Sequence, residues 1–526
     1  MAMPRRHSVS LSAISEPDVR TVILDGTLDW RNIARVADGA TLELSPAARN
    51  RVERASQIVS AIVERGVRAY GVNTGVGALS DTVVDRASQS RLSRNIIRSH
   101  ACGVGPALAA PSVRAIMAAQ INNFAHGYCG VRIAIVDHLA ALLAMDCLPI
   151  MPSKGSAGYL THNAHTALVL IGEGRAQVGG QEVTGAQALA AAGLSPLVLQ
   201  AKEGLSLVNG TACATGLACV ALKQAEHLLD WADASAALTL EALRCQMTAI
   251  EDHVLALRPS EGIACVGERL RALLHGSGLI AKASGIRTQD ALSLRAIPHA
   301  HGAARDVFVQ TCRVVSQELA SVTDNPAVSG TPDAPVVSSQ AHAVAPALAM
   351  AMDSLAVAMA QIAAMSERRI DRLVNPLVSG LPPFLATDPG ANSGFMIAQY
   401  TAAALSAENR RLAAPASLDG GVTSGLQEDF LAHPTASANK LLSLIENARQ
   451  IFAIELCAAA QAQDFLAGED RAAGTNALYA QVRSMTKSYE DDRPLGPELE
   501  RVCAAMSTQQ PAFPDLPSTP DVWRQV

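Results

Sequence analysis

The chain has 526 residues, 42 basic against 48 acidic side chains, and a formal net charge of −6. Hydrophobic residues make up 49%, ample for a core, which excludes intrinsic disorder. The mildly acidic balance leaves no footprint for nucleic acid or an anionic membrane, and ten cysteines without a CxxC pair make neither a disulfide scaffold nor a zinc motif. Charged residues at 17% are sparse, which suggests surface hidden between subunits. A reduced, cytoplasmic protein is expected.

Residues 1–20 start basic but carry no apolar run, so no export signal is expected. The apolar stretch at 139–145 is too short to span a bilayer. A short apolar segment at 22–24 is followed by Ser45-Pro46, a helix start in which serine caps and proline suits the first turn. Residues 70–80 carry three glycines and read as a loop. Helical patterning resumes over 86–99, and further helices are expected at 113–125 and 133–145. A glycine-rich loop at 152–158 precedes a helix ending at Ile171, and Gly179-Gly180 marks a small hairpin at 177–183. Alanine- and leucine-rich runs cover 211–250, 303–322, 343–373 and 436–467, and the proline-rich tail from Gln509 reads as irregular. No repeat or linker is visible. Residues 1–526 are expected to form a single all-α domain, a bundle of long helices with glycine- and asparagine-bearing loops at their ends.

Those loops carry specific motifs. YGVNTGVG at 70–77, SHACGVG at 99–105, EGLSLVNGT at 203–211, TQDALSLR at 288–295 and VTDNP at 322–326 come first. SERRIDRLVNP at 366–376, SGLPPFL at 379–385, NSGFMIAQYTAAAL at 392–405, TSGLQED at 423–429 and DRPLG at 492–496 follow. In order and spacing the chain resembles the histidine and aromatic amino acid ammonia-lyases and their aminomutase relatives, over about residues 20–505. The resemblance implies an ammonia-lyase-like helical fold and a homotetramer with active sites shared between subunits. It also implies removal of ammonia from histidine, tyrosine or phenylalanine. There an electrophilic methylidene-imidazolone, made from an internal Ala-Ser-Gly, captures the substrate.

At that tripeptide the chain departs from the family. The family's GSVG-ASG-DLAPLAH corresponds here to Gly155-Ser156-Ala157-Gly158 followed directly by Tyr159-Leu160-Thr161-His162-Asn163-Ala164-His165. Three residues are missing, and as written the chain cannot make the electrophile, so no cofactor is expected. Either the deletion is genuine, or a cyclised tripeptide is skipped as a non-standard unit. Neighbouring departures favour deletion: Tyr159 replaces an aspartate, His162 a proline, Leu292 a tyrosine, His342-Ala343 an Asn-Phe pair, and Phe430 a histidine.

The resemblance assigns Tyr70 as the loop base, against a tyrosine packed under a glycine loop. A phenol with pKa near 10 needs that value lowered, or its anion stabilised, to act at neutral pH. Arg295 corresponds to the carboxylate anchor, its planar fork suited to bidentate capture, against an ion pair with Asp290. Asn209, Gln289 and Glu428 match polar active-site positions. Glu428 becomes an acid or base if burial raises its pKa. His100 matches a histidine facing the substrate ring and favours a polar ring. His162, His299, His301 and His342 fall in segments that line the family's site and suit proton transfer near neutral pH. No HExxH-like spacing supports a metal.

The leading expectation is an enzyme of this family that works without the electrophile. It would abstract a proton, with elimination or rearrangement, from a small amino-acid-like carboxylate. Tyr70, Glu428, His162 and His342 would be catalytic, and His100, Asn209, Gln289 and Arg295 would bind substrate. The alternatives are a histidine or tyrosine ammonia-lyase whose ring is left out of the written sequence, and a silent ligand- or partner-binding homologue.

Overall fold

The computed structural model describes residues 21–466 and 470–513. The segment read above for an export signal, and the tail beyond residue 513, lie outside the described residues. Helix Pro46–Arg65 begins where its chemistry predicts. The Ser45 hydroxyl accepts from Ala48 N at 3.1 Å, and the helix closes at Gly66 with φ 64°. The predicted hairpin is also present, Arg175–Val178 pairing antiparallel with Gln181–Thr184 across Gly179-Gly180, both at positive φ.

Four long helices form the body: Ala212–Ala242, Ile297–Leu319, Pro346–Val374 and Pro434–Asp464. Each overlaps a predicted alanine- and leucine-rich run. Pro346–Val374 packs along Pro434–Asp464, which packs on Ala212–Ala242, and Ala110–Ala125 covers that helix from another side. At 1.5 Å per residue, the two 31-residue helices are about 46 Å long. Small side chains allow the closest approach. A Cβ on Gly216 would stand 2.6 Å from the Ile116 amide nitrogen, so glycine is needed where Ala212–Ala242 crosses Ala110–Ala125. Helices within 203–242 and 346–374 are long and apolar enough to cross a membrane, but the first is wholly buried and the second largely so, as core helices.

Buried charge ties these helices together. Arg369 donates from Nε and Nη2 to Glu455 at 2.6 and 2.8 Å, and both side chains are fully buried. Thr239, Ser366 and Ser235 also donate to Glu455. A second hub is Asp233, paired with Arg305, His301 and Arg269. Burial alone would raise the Asp233 carboxyl, but those partners outweigh it and hold it well below the usual carboxylate range.

The helical expectation is met, with short strands added. Thr21–Leu24 pairs parallel with Thr41–Leu44, Val104–Ala107 antiparallel with Pro152–Lys154, and Ala327–Gly330 antiparallel with Pro335–Ser338. Two expected loops are therefore corrected. Residues 152–154 are strand, because Val104–Ala107 offers them an edge, and the last four residues of TQDALSLR coil into a helical turn, Leu292–Arg295. All ten cysteines are free; Cys102 alone is exposed and Cys503 partly so.

Candidate active site

Residue packing brings distant loops to one place. Gly71 has φ 63°, and a Cβ there would meet Leu205 Cδ2 at 2.2 Å, so glycine lets the Tyr70 loop lie on helix Glu203–Val208. That helix in turn rests on helix Gln89–His100, where a Cβ on Gly204 would meet the Ser93 carbonyl at 2.2 Å. Where these segments meet residues 155–161, 339–344 and 423–431 there is a cavity of about 700 Å³.

Tyr70, His100, Asn209 and Glu428 all line it, and no lysine or arginine does. The Tyr70 hydroxyl accepts from Gly77 N at 3.1 Å. Burial raises the phenol, with Glu428 and Asp324 adding to the rise. His100 Nδ1 lies 2.7 Å from the Ile96 carbonyl, which only accepts, so Nδ1 carries the proton and Nε2 is the free acceptor. Burial lowers the His100 pKa and favours that neutral form. Tyr159 donates from its hydroxyl to Glu428 Oε2 at 2.6 Å. Burial, and then Glu428 itself, push the Tyr159 phenol well above its ordinary value, so it stays a donor.

The other predicted site residues lie elsewhere in this chain. Gln289 is exposed, and Arg295 lines a separate small cavity beside Cys245 and Ile250. Asp290 pairs with Arg287 at 2.8 Å rather than with Arg295, whose Nη1 is buried without a hydrogen bond. Ala341 and Ala343 line the cavity while His342 between them is exposed and does not line it. His162 sits on helix Thr161–Leu170 and is buried in the core beside the backbone of Pro152 and Ser153. Burial pushes it down to about 4. His299 is exposed, His301 is held by Asp233 in the core, and His165 accepts from Gly103 N. Among the described residues no group of three or more His, Cys, Asp or Glu side chains is placed to hold a metal ion.

The junction that lacks the tripeptide forms part of the cavity wall through Ala157, Tyr159 and Leu160. Leu160 has φ 76° and ψ −68°, a conformation that costs a non-glycine residue on the order of 1–3 kcal/mol. The strained residue stands immediately after the join.

The aromatic amino acid lyase family model matches residues 28–484. The chain belongs to that family. It is 41% identical to a histidine ammonia-lyase of Symbiobacterium thermophilum, over 89% of this chain and 92% of that protein. Among solved structures it is similar to a tyrosine aminomutase from Streptomyces globisporus, with TM-score 0.88, 34% identity, and coverage of 92% of this chain and 97% of that one. It is also similar to an ergothioneine-degrading ergothionase from Treponema denticola, with TM-score 0.87, 28% identity, and coverage of 93% and 99%.

For this aromatic amino acid lyase family member, the motifs led to Tyr70, His100, Asn209 and Glu428 but not to the bond between Tyr159 and Glu428. Those two are 269 residues apart. The signal available was that the aspartate usual after the tripeptide is a tyrosine here, a residue able to donate where aspartate accepts.

Proposed function

We propose that this family member is an ammonia-lyase for histidine or an amino acid with a similarly polar ring, working in the cytoplasm as a homotetramer. One observation carries the reading: Tyr70, His100, Asn209 and Glu428 surround one cavity with no lysine or arginine among its described lining residues, in a chain 41% identical to a histidine ammonia-lyase. His100 Nε2 and the Glu428 carboxylate are acceptors, so they match the donors such a substrate brings, an ammonium and a ring N–H.

Tyr70 takes the β-proton at its hydroxyl oxygen. Because burial raises that phenol, its anion needs an incoming positive charge. The substrate ammonium supplies one, and Arg295 of a second copy, gripping the carboxylate, supplies another. The exposed Gln289 suits a group that completes a neighbouring copy's site. The Tyr159–Glu428 pair orients the substrate ammonium, and the proton that Tyr70 has taken leaves with the ammonia, which restores the Tyr70 anion.

The cavity fits the family's methylidene-imidazolone. Tyr159 and Leu160 would flank it and Asn209 shares the same space. When present, that group supplies the electron sink that lets an unactivated amine leave. The reading takes the cyclised Ala-Ser-Gly unit to stand between Gly158 and Tyr159, where standard letters skip it. The strained Leu160 at that join supports a longer loop there. Two measurements test it together. The intact mass is expected to exceed that of the written chain by an Ala-Ser-Gly unit less two waters, and L-histidine is expected to yield its unsaturated acid and ammonia. A mass equal to the written chain removes this reading.

The missing tripeptide, together with the similarity to the ergothioneine-degrading enzyme, favours one second reading. A trimethylated amino nitrogen leaves as neutral trimethylamine and needs no electrophile. Two tyrosine rings and a carboxylate in the cavity suit a quaternary ammonium. Release of trimethylamine from an amino-acid betaine, by protein of the written mass, is the outcome it expects.

A further inference from the structure

Asn209 is held by Asp324, which is buried behind the cavity wall, and by Asn325, which lines it. Its Nδ2 donates to Asp324 Oδ1 at 3.3 Å and to the Asn325 carbonyl at 2.7 Å. The Asp324 carboxylate is paired with Lys202 Nζ at 2.7 Å, and both side chains are fully buried. Lys202 also donates to the Cys129 carbonyl and to Ser206 Oγ, each at 2.7 Å, so all three of its ammonium hydrogens are used. Ser206 Oγ in turn lies 2.8 Å from Asp324 Oδ2 and donates to it. Lys202 takes a left-handed backbone conformation, φ 67° and ψ −26°, at the start of helix Glu203–Val208. The strain is held by three hydrogen bonds from one side chain.

This arrangement decides which way round the Asn209 amide stands. Both of its neighbours are acceptors only, a carboxylate and a carbonyl. A flipped amide would set Oδ1 against two other oxygens, so the NH₂ must face inward. Both amide hydrogens are then consumed, and Oδ1 is the atom left to the cavity. That oxygen has no hydrogen-bond partner and is not sealed from the cavity.

We infer that Lys202 and Asp324 are positioning residues that lock Asn209 as a hydrogen-bond acceptor, and that Asn209 Oδ1 receives an N–H of the substrate's α-ammonium group. The inference rests on the proposed amino-acid substrate. It makes the α-nitrogen end of the cavity selective for donors: an ammonium or hydroxyl is accepted there and a carbonyl is refused. Asp324 touches no substrate; it sets the α-nitrogen acceptor through Asn209, while its charge also bears on the Tyr70 phenol, which a binding ratio does not read.

The test is a pair of ligands that share ring and carboxylate and differ at the α-carbon, imidazole-lactate with a hydroxyl donor and imidazole-pyruvate with a carbonyl. The parent protein is expected to bind the hydroxy acid at least tenfold more tightly by calorimetry. In Asp324→Asn, which keeps shape but frees the Asn209 amide to turn, that preference is expected to fall below threefold. A role in packing alone would weaken both ligands equally and leave the ratio unchanged. If Asp324→Asn does not fold, the parent ratio still decides, since equal affinities in the parent overturn the inference. Binding of neither ligand removes the proposed substrate class and the inference with it. Binding of both without preference removes the inference alone.

Discussion

At the scale of single residues, His162 ties stability to pH. Burial pushes its imidazole down from 6.5 to about 4, so the folded protein holds it neutral across that range. Between those values the unfolded chain binds a proton that the folded chain does not. Stability therefore rises with pH through this window and is lost as pH falls from 6.5 towards 4, by about 3 kcal/mol for this group. His162→Leu is expected to flatten part of that loss in urea titrations at pH 7.5, 5.5 and 4.5. His301, lowered in the same direction by burial, is expected to keep the remainder. An unchanged slope counts against the assignment. Tyr70 gives the second prediction: Tyr70→Phe is expected to lower kcat by about 10²–10⁴-fold with ligand binding retained. Tyr70, His100, Asn209 and Glu428 were legible because each sits in a motif of its own. His162 was not, since sequence cannot show which face of helix Thr161–Leu170 meets the core.

At the scale of elements, the Arg369–Glu455 pair joins helix Pro346–Val374 to Pro434–Asp464, with Thr239 bringing in Ala212–Ala242. Arg369→Met leaves a buried carboxylate without its counterion, and about 3–5 kcal/mol of stability is expected to go. Adding Glu455→Leu is expected to recover much of that loss in denaturant unfolding, because two apolar side chains replace the stranded charge. Gly216→Ala tests the crossing of helices instead, and is expected to cost about 1–3 kcal/mol, since the neighbour it meets is backbone and cannot turn aside. The long helices were legible from their apolar runs and, for Pro46–Arg65, from its cap. Apart from the hairpin around Gly179-Gly180, the strand pairs were not. Val104–Ala107 is only four residues, all exposed, and its sequence has no alternation for a reader to find.

For the molecule as a whole, the site residues expected from the sequence fall into two groups that one chain does not bring together. Tyr70 and Glu428 line the cavity, while Arg295 lies in another and Gln289 on the surface. Local pattern carries no record of which copy a residue serves, so the motif TQDALSLR was legible and its destination was not. If the sites are shared, Tyr70→Phe and Arg295→Lys are each expected to be nearly inactive alone. Co-refolded mixtures of the two are then expected to regain activity, because some sites receive both intact groups. No recovery in mixtures that form the same oligomer would place the whole site within one chain. Exposed Met350, Val357, Ile397 and Tyr400 on helices Pro346–Val374 and Met396–Leu412 offer the apolar area such an assembly needs.

The cysteines make the protein its own clock for opening. Cys102, two residues beyond His100, is exposed, and Cys503, pushed up to about 11 by burial, is partly covered. The other eight are buried, where a thiol such as Cys213, raised to about 12, is both shielded and protonated. A thiol reagent should therefore take one equivalent at once, a second slowly, and the rest only as the helices part. A fluorophore placed through Cys102 would sit two residues from His100 in the cavity wall and is expected to report its filling without any engineered residue.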